Sequence, residues 1–121
     1  MEVYGIGTDI VEIERFQKNG ETLSFMSRCF TEKEQEHLKN RHLEVTAGYF
    51  AAKEAVAKAL GTGFTGFSPS AIEISNNKAG KPEVTLHGGA AKVAEDAGIK
   101  KIDISISHCK TLAIAMAVAQ F

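Results

Sequence analysis

The last third of this 121-residue chain alternates with a period of two along almost its whole length. Ile102, Ile104 and Ile106 alternate with Asp103, Ser105 and Ser107, and then Leu112, Ile114, Met116 and Val118 alternate with alanines. Successive side chains of a strand point to opposite faces, so both runs are predicted strands. Only a few residues around His108 to Lys110 separate them, and a connection that short joins antiparallel neighbours. The rest of the chain has to pack on an antiparallel sheet.

The remaining segments supply helices and a second hairpin. Glu44 to Leu60 is the strongest helix: alanine is its commonest residue, proline is absent, and Gly61 stands where a C-terminal cap belongs. Its alanines permit close packing. Ala71 to Ser75 and Pro82 to Leu86 read as strands around a turn at Asn76 to Lys81, and Gly88 to Ala97 as a short helix ending at Gly98. Val3 to Ile13 alternates as a strand, with Tyr4, Ile6 and Ile10 on one side and Gly5 and Gly7 thinning the other near Asp9. Something is expected to approach the backbone there. Glu12 to about Arg28 is helical but interrupted at Asn19-Gly20, and Thr31 with Glu34 forms a capping box opening a polar helix; both are expected on the surface. Mixed helices and hairpin-connected strands give an α+β fold, an antiparallel sheet with packed helices, in one domain spanning residues 1–121.

Lys and Arg total 14 against 15 Asp and Glu. That balance supplies no field of one sign, so neither nucleic acid nor a membrane surface is an expected partner. Cys29 and Cys109 form no C-x-x-C pair, which argues against a metal knuckle, a redox motif or a disulfide framework and fits reduced thiols. Met1 leads into Glu2-Val3-Tyr4-Gly5 without a basic and then an apolar region, and Leu112 to Ala119 is too short to span a bilayer. The expected location is the cytoplasm.

Four features carry candidate chemistry. Asp9 is a carboxylate in an otherwise apolar strand; it is either a ligand for a cation or an acceptor for neighbouring backbone N–H groups. Glu54 and Lys58 lie one turn apart on the alanine-rich helix, either an exposed pair worth about 0.2–0.5 kcal/mol or a carboxylate and an ammonium serving a metal and a phosphate together. Gly61-Thr62-Gly63 is a glycine-rich turn at the negative end of that helix; a phosphate there would lean on Lys58 and local N–H groups, whereas the plain alternative is a C-cap. His108 ends a strand, as a turn residue or a site residue. His37, His42 and His87 lack metal-ligand spacing and read as surface residues.

Taken in order, Gly5-Ile6-Gly7-Thr8-Asp9-Ile10, Phe50-Ala51-Ala52-Lys53-Glu54-Ala55 with Lys58 and Gly61-Thr62-Gly63, Gly80-Lys81-Pro82 and Ser105-Ile106-Ser107-His108 resemble the motif set of the holo-acyl-carrier-protein synthases, small bacterial 4'-phosphopantetheinyl transferases. The resemblance runs almost end to end. It implies that fold, and an enzyme of fatty acid biosynthesis that moves phosphopantetheine from coenzyme A to a serine of an acyl carrier protein, releasing adenosine 3',5'-bisphosphate. It also implies Mg²⁺ held by Asp9 and Glu54, with Lys58 on the phosphates and these three as the catalytic group. Lys58, Gly61, Thr62, Gly63, Pro82 and His108 would form the coenzyme site. The serine proton would pass to a metal-linked water, Glu54 or Asp9. Relatives assemble as homotrimers with sites at subunit interfaces, and dock the carrier on the first helix, where Arg15, Phe16, Lys18, Phe25, Met26 and Arg28 stand here.

The chain departs from the family pattern in places. Glu14, Glu21 and Ser24 make the docking helix less basic, Tyr49 stands where relatives often carry arginine, and Cys109 where threonine is common. An arginine lost beside a phosphate weakens that contact. A non-catalytic coenzyme A or carrier-binding module of the same fold would bind without metal-dependent turnover, and a purely structural oligomerisation domain would be indifferent to loss of Asp9 and Glu54.

Overall fold

The computed structural model describes residues 2–18 and 23–121. Strand β1 (Val3–Glu12) leads into short helices α1 (Glu14–Lys18), α2 (Leu23–Cys29) and α3 (Glu32–Leu38), then the long α4 (Leu43–Leu60). A 3-10 turn (Pro69–Ala71), the hairpin β2 (Ile72–Asn76) and β3 (Pro82–Leu86), α5 (Gly88–Ala97), β4 (Lys101–His108) and β5 (Leu112–Gln120) follow. The predicted antiparallel pairing is present, but in two sheets: β1-β5-β4 and β2-β3. Among the described residues no helix is long and apolar enough to cross a membrane.

Local chemistry sets the element ends. Thr31 Oγ1 accepts from the Glu34 N–H at 3.1 Å while Glu34 Oε1 accepts from the Thr31 N–H at 2.9 Å, the capping box read from the sequence. Helix α4 stops at Gly61, whose φ of 84° is the left-handed conformation glycine adopts without a Cβ penalty. In the β2–β3 turn, Asn77 Oδ1 accepts from Ala79 and Lys81 N–H groups at 2.9 and 3.0 Å. The break at Asn19-Gly20 lies outside the described residues.

Small residues decide how α4 meets the three-stranded sheet. Gly5, Gly7 and Asp9 of β1 pair with Ala119, Ala117 and Ala115 of β5, which in turn pair with Ile102, Ile104 and Ile106 of β4. That row faces α4. A Cβ on Gly5 or Gly7 would collide with the backbone of Ala59 or Ala55, so helix and strand touch backbone to backbone. The β5 alanines are wholly covered.

The other face of this sheet reverses the usual burial of a one-sided antiparallel sheet. Ile6, Ile10 and Met116 are 66%, 60% and 50% exposed, with Tyr4, Ile114 and Phe121 also open to solvent. Large aliphatic side chains of β1 and β5 point outward because the close approach of α4 leaves room mainly for glycine and alanine at the inner positions Gly5, Gly7, Ala115, Ala117 and Ala119.

A second core lies between α4, α1–α3 and β2. Phe16, Phe25, Phe30 and Phe50 pack with tilted or edge-to-face rings, Phe16 and Phe50 at 5.4 Å between centroids. The expectation of plain surface helices is therefore corrected: α1 and α2 sit beside or carry core anchors, and α3 buries Glu34 and Leu38.

Candidate functional site

The close approach of β1 to α4 assembles the chemistry. Gly5 lies against Ala59 and Gly7 against Ala55, so Asp9, two residues further along the same strand face, comes beside the turn of α4 that ends at Glu54. Lys58, one turn further, spans the gap: its Nζ donates to Thr8 O at 2.9 Å and reaches Asp9 Oδ1 at 3.4 Å. Its ion pair thus runs across to β1, and the simple within-helix pair with Glu54 is replaced by a three-residue cluster. The Lys58 ammonium is half exposed, open to a ligand's charge. A cavity of about 380 Å³ bounded by Ile6, Gly7, Thr8, Lys58 and Met116 adjoins it, on the side of the exposed apolar face.

Electrostatics single out Glu54. Burial pushes its carboxyl above the ordinary glutamate range, the Asp9 carboxylate pushes it further, and Lys58 and Arg15 pull it back only partly. Two carboxylates held this way resist sharing one site as anions and are relieved by a cation. Their all-oxygen donor set suits a hard divalent ion, with substrate and water oxygens completing its shell. Among the described residues no group of three His, Cys, Asp or Glu forms a ready metal cage.

The other expected site residues are dispersed. Gly61, Thr62 and Gly63 follow directly on α4, but their N–H groups donate to Lys58 O or Ala57 O at 3.0–3.4 Å, so the loop offers shape and open space in place of free phosphate donors. Of the two readings offered by the sequence, these bonds are those of the C-cap. Pro82 opens β3 in the second sheet, paired with Asn76, and His108 ends β4 opposite Ala113. No hydrogen bond or ion pair among the described residues links either to Asp9, Glu54 or Lys58.

The expected docking residues divide. Arg15 lies with its guanidinium 4.9 Å from the Phe50 ring centre and 5.9 Å from that of Phe16, near enough to Glu54 to lower its pKa. Arg28 is exposed and Phe25 and Met26 are half-buried, whereas the Lys18 side chain lies outside the described residues. Phe16, 1% exposed, is a core residue and offers no surface to a partner. The sequence pattern placed it on a surface helix because a five-residue helix carries too little periodicity to show its buried side.

Other residues lie outside the four candidate features, Tyr49 and Cys109 having been noted only as departures from the family pattern. Tyr49 is buried, stacks on His37 at 5.5 Å and donates its hydroxyl to Asn76 Oδ1; burial, then the Glu34 charge, push its phenol to about 12. Cys109 is exposed, with backbone hydrogen bonds from Thr111 and then Leu112 drawing its thiol pKa down. Lys53 and Glu34 form a buried ion pair at 2.7 Å. Its only trace in sequence is a charge amid Phe50-Ala51-Ala52 and Ala55-Val56-Ala57. His87, read as a surface residue, contacts Glu73 Oε1 at 3.1 Å.

Comparison with known proteins identifies the family. Residues 5–117 match the family model for the 4'-phosphopantetheinyl transferase superfamily. A holo-[acyl-carrier-protein] synthase of Caldanaerobacter subterraneus subsp. tengcongensis is 49% identical over 125 residues, covering 98% of this chain and 95% of that relative. Among solved structures, the synthase of Neisseria meningitidis superposes with a TM-score of 0.87 at 36% identity, over 99% of this chain and 100% of that one. The Helicobacter pylori synthase in complex with coenzyme A does so with a TM-score of 0.84 at 33% identity, over 95% and 99%. By sequence and by fold, this chain belongs to the 4'-phosphopantetheinyl transferase superfamily.

Proposed function

We propose that this chain transfers 4'-phosphopantetheine from coenzyme A to a serine of apo acyl carrier protein, giving the holo carrier protein and adenosine 3',5'-bisphosphate, in the cytoplasm and in support of fatty acid synthesis. The observation that carries the reading is the cluster at the β1–α4 contact: Asp9 and the strained carboxylate of Glu54, with the open ammonium of Lys58 between strand and helix. A binding module has no need of two anions forced together beside a cation.

The serine hydroxyl attacks the β-phosphorus of coenzyme A as the bond to the bridging oxygen breaks, so one phosphodiester forms while the pyrophosphate link is lost. Asp9 and Glu54 would hold Mg²⁺, which when bound supplies charge neutralisation on the pyrophosphate oxygens. Lys58, already extended over β1, stabilises the charge that grows on the departing phosphate. The serine proton passes to Glu54, Asp9 or a water beside them. Gly61, Thr62 and Gly63 leave room for the nucleotide end of the coenzyme, and Pro82 and His108 line its pocket. Arg15, Arg28, Phe25 and Met26 are the described candidates for carrier docking.

No hydrogen bond or ion pair among the described residues joins Pro82 or His108 to the acidic cluster within one chain, and a site shared between chains in a homotrimer would bring them to it. The exposed Ile6, Ile10, Ile114 and Met116 of the outer sheet face are the surface we assign to this self-association. The test is intact-mass measurement of apo acyl carrier protein incubated with coenzyme A, Mg²⁺ and the protein. A gain of one phosphopantetheine, abolished by EDTA and by Glu54→Ala, is the expected result; coenzyme binding with no mass gain across several carrier proteins would overturn the reading.

A further inference from the structure

We infer that Lys53 and Glu34 form a buried positioning clamp, which sets the spacing between α4 and the β2–β3 hairpin and thereby shapes the coenzyme pocket without touching substrate. This rests on the transferase reading above. Lys53 neighbours Glu54 in sequence yet points away from the acidic cluster, with its ammonium wholly buried. Its Nζ donates to Glu34 Oε1 at 2.7 Å, to Ile72 O at 2.6 Å and to Pro69 O at 3.1 Å, which uses all three of its donors. The Glu34 carboxylate also accepts from the Thr31 N–H at 2.9 Å and, through Oε2, from the Ile74 N–H at 2.7 Å. The bonds extend outward: Thr31 Oγ1 donates to Glu73 Oε2 at 2.6 Å, and Glu73 Oε1 meets His87 at the foot of α5. Among the described residues no buried side-chain polar atom lacks a partner.

One ion pair therefore pins the first turn of α3, the 3-10 turn before β2 and β2 itself to a single point on α4. A fully buried pair gains little stability over apolar side chains of similar size, because desolvation cancels much of its attraction. What the pair adds is direction, since each bond has one partner and one geometry. The hairpin it fixes carries Gly80, Lys81 and Pro82, and the helix it fixes carries Glu54 and Lys58. Whether these line one pocket or the pockets of neighbouring chains, their separation is set inside each chain by the clamp.

The experiment compares wild type with the apolar replacement Lys53→Met/Glu34→Leu, and with Lys53→Met alone, by thermal melting, coenzyme A titration and steady-state transfer. The double variant is expected to fold but to melt below wild type, because the Thr31 and Ile74 N–H groups lose their carboxylate acceptor, to show a rise of about tenfold or more in KM for coenzyme A, and to keep its Mg²⁺ dependence. Lys53→Met alone, which strands the Glu34 charge, is expected to melt well below the double variant. If the double variant folds with coenzyme A affinity and KM unchanged, the clamp does not position the pocket. If it fails to fold while wild type folds, the pair serves stability and the inference is overturned. An inactive wild type would instead defeat the transferase reading, which separates the two failures.

Discussion

Gly7→Ala tests the contact on which the whole site depends. A Cβ at position 7 would lie 2.8 Å from Ala59 N and 2.9 Å from Ala55 C, and closer still to Ala55 O. Ordinary van der Waals contact begins near 3.4 Å. These atoms belong to one rung of the α4 hydrogen-bond ladder and cannot swing aside as a side chain does. Strand and helix must separate by more than 0.6 Å to clear the nitrogen, and by more for the oxygen. Overpacking of this kind costs about 1–3 kcal/mol or more, and a displacement approaching 1 Å between Asp9 and Glu54 is expected to lower transfer about 10²-fold. Gly48→Ala is the matched control within α4. Its Cβ would meet one side-chain atom, Ile106 Cγ2 at 2.9 Å, and no backbone, so only the Ile106 side chain has to shift, against a gain of about 0.5–1 kcal/mol from alanine in a helix. Urea unfolding and carrier-protein mass assays on both variants give the answer. A Gly7→Ala protein as stable and as active as Gly48→Ala would refute the argument that backbone contact positions the site.

Three further outcomes follow from the same geometry. Glu54 has its folded pKa raised by burial and by Asp9, so the metal-free folded state binds more protons than the unfolded chain, and its stability falls as pH rises through the raised pKa. Glu54→Gln removes that fall, and urea midpoints measured against pH should show the metal-free variant more stable than wild type at neutral pH while transfer is lost; parallel curves would contradict the assignment. Lys58→Ala should cut kcat about 10²- to 10³-fold with melting temperature nearly unchanged, because the half-exposed ammonium contributes to charge stabilisation more than to folding. If the proposed trimer forms through the outer sheet face, Met116→Lys should shift the sedimenting species from three chains toward one and lower transfer with it, whereas a trimer of unchanged mass would remove that face from the assembly.

Most of the fold was legible because its signals are local. Period two marks β4 and β5, alanine content and Gly61 bound α4, and the ends of β3 and α5 fall where Pro82, Leu86, Gly88 and Ala97 place them. Asp9, Glu54 and Lys58 were legible as separate oddities, a carboxylate in an apolar strand and charges in an alanine helix. Their union came only through the family resemblance, since it depends on strand and helix meeting at Gly7 and Ala55, a long-range contact that periodicity does not encode. The same limit hid the clamp: Glu34 reads as a capping-box residue, which it is, while its second oxygen serves a strand forty residues away. Phe16 was misplaced for the complementary reason, its partner Phe50 being remote in sequence.

The alternation in β5 carries a meaning that its period alone does not reveal. A hydrophobic alternation ordinarily turns its larger side chains inward, but here alanines fill the inner row and Leu112, Ile114, Met116 and Val118 the outer. The reason lies in β1. With Gly5 and Gly7 in the inner row, α4 is drawn so close that the adjoining β5 has space only for alanine there, while the larger inner residues Ile102, Ile104 and Ile106 stand on the farther β4, and the bulk of β1 and β5 has to stand on the opposite face. The device that brings Glu54 to Asp9 is thus the device that leaves an apolar surface uncovered beside Lys58. On the proposed function, site and self-association surface are two sides of one packing choice, and a substitution enlarging the inner row should disturb both together: Ala117→Val, opposite Gly7, is expected to lower transfer and weaken assembly in the same protein. Loss of one without the other, by mass assay and sedimentation, would show that the two faces are independent.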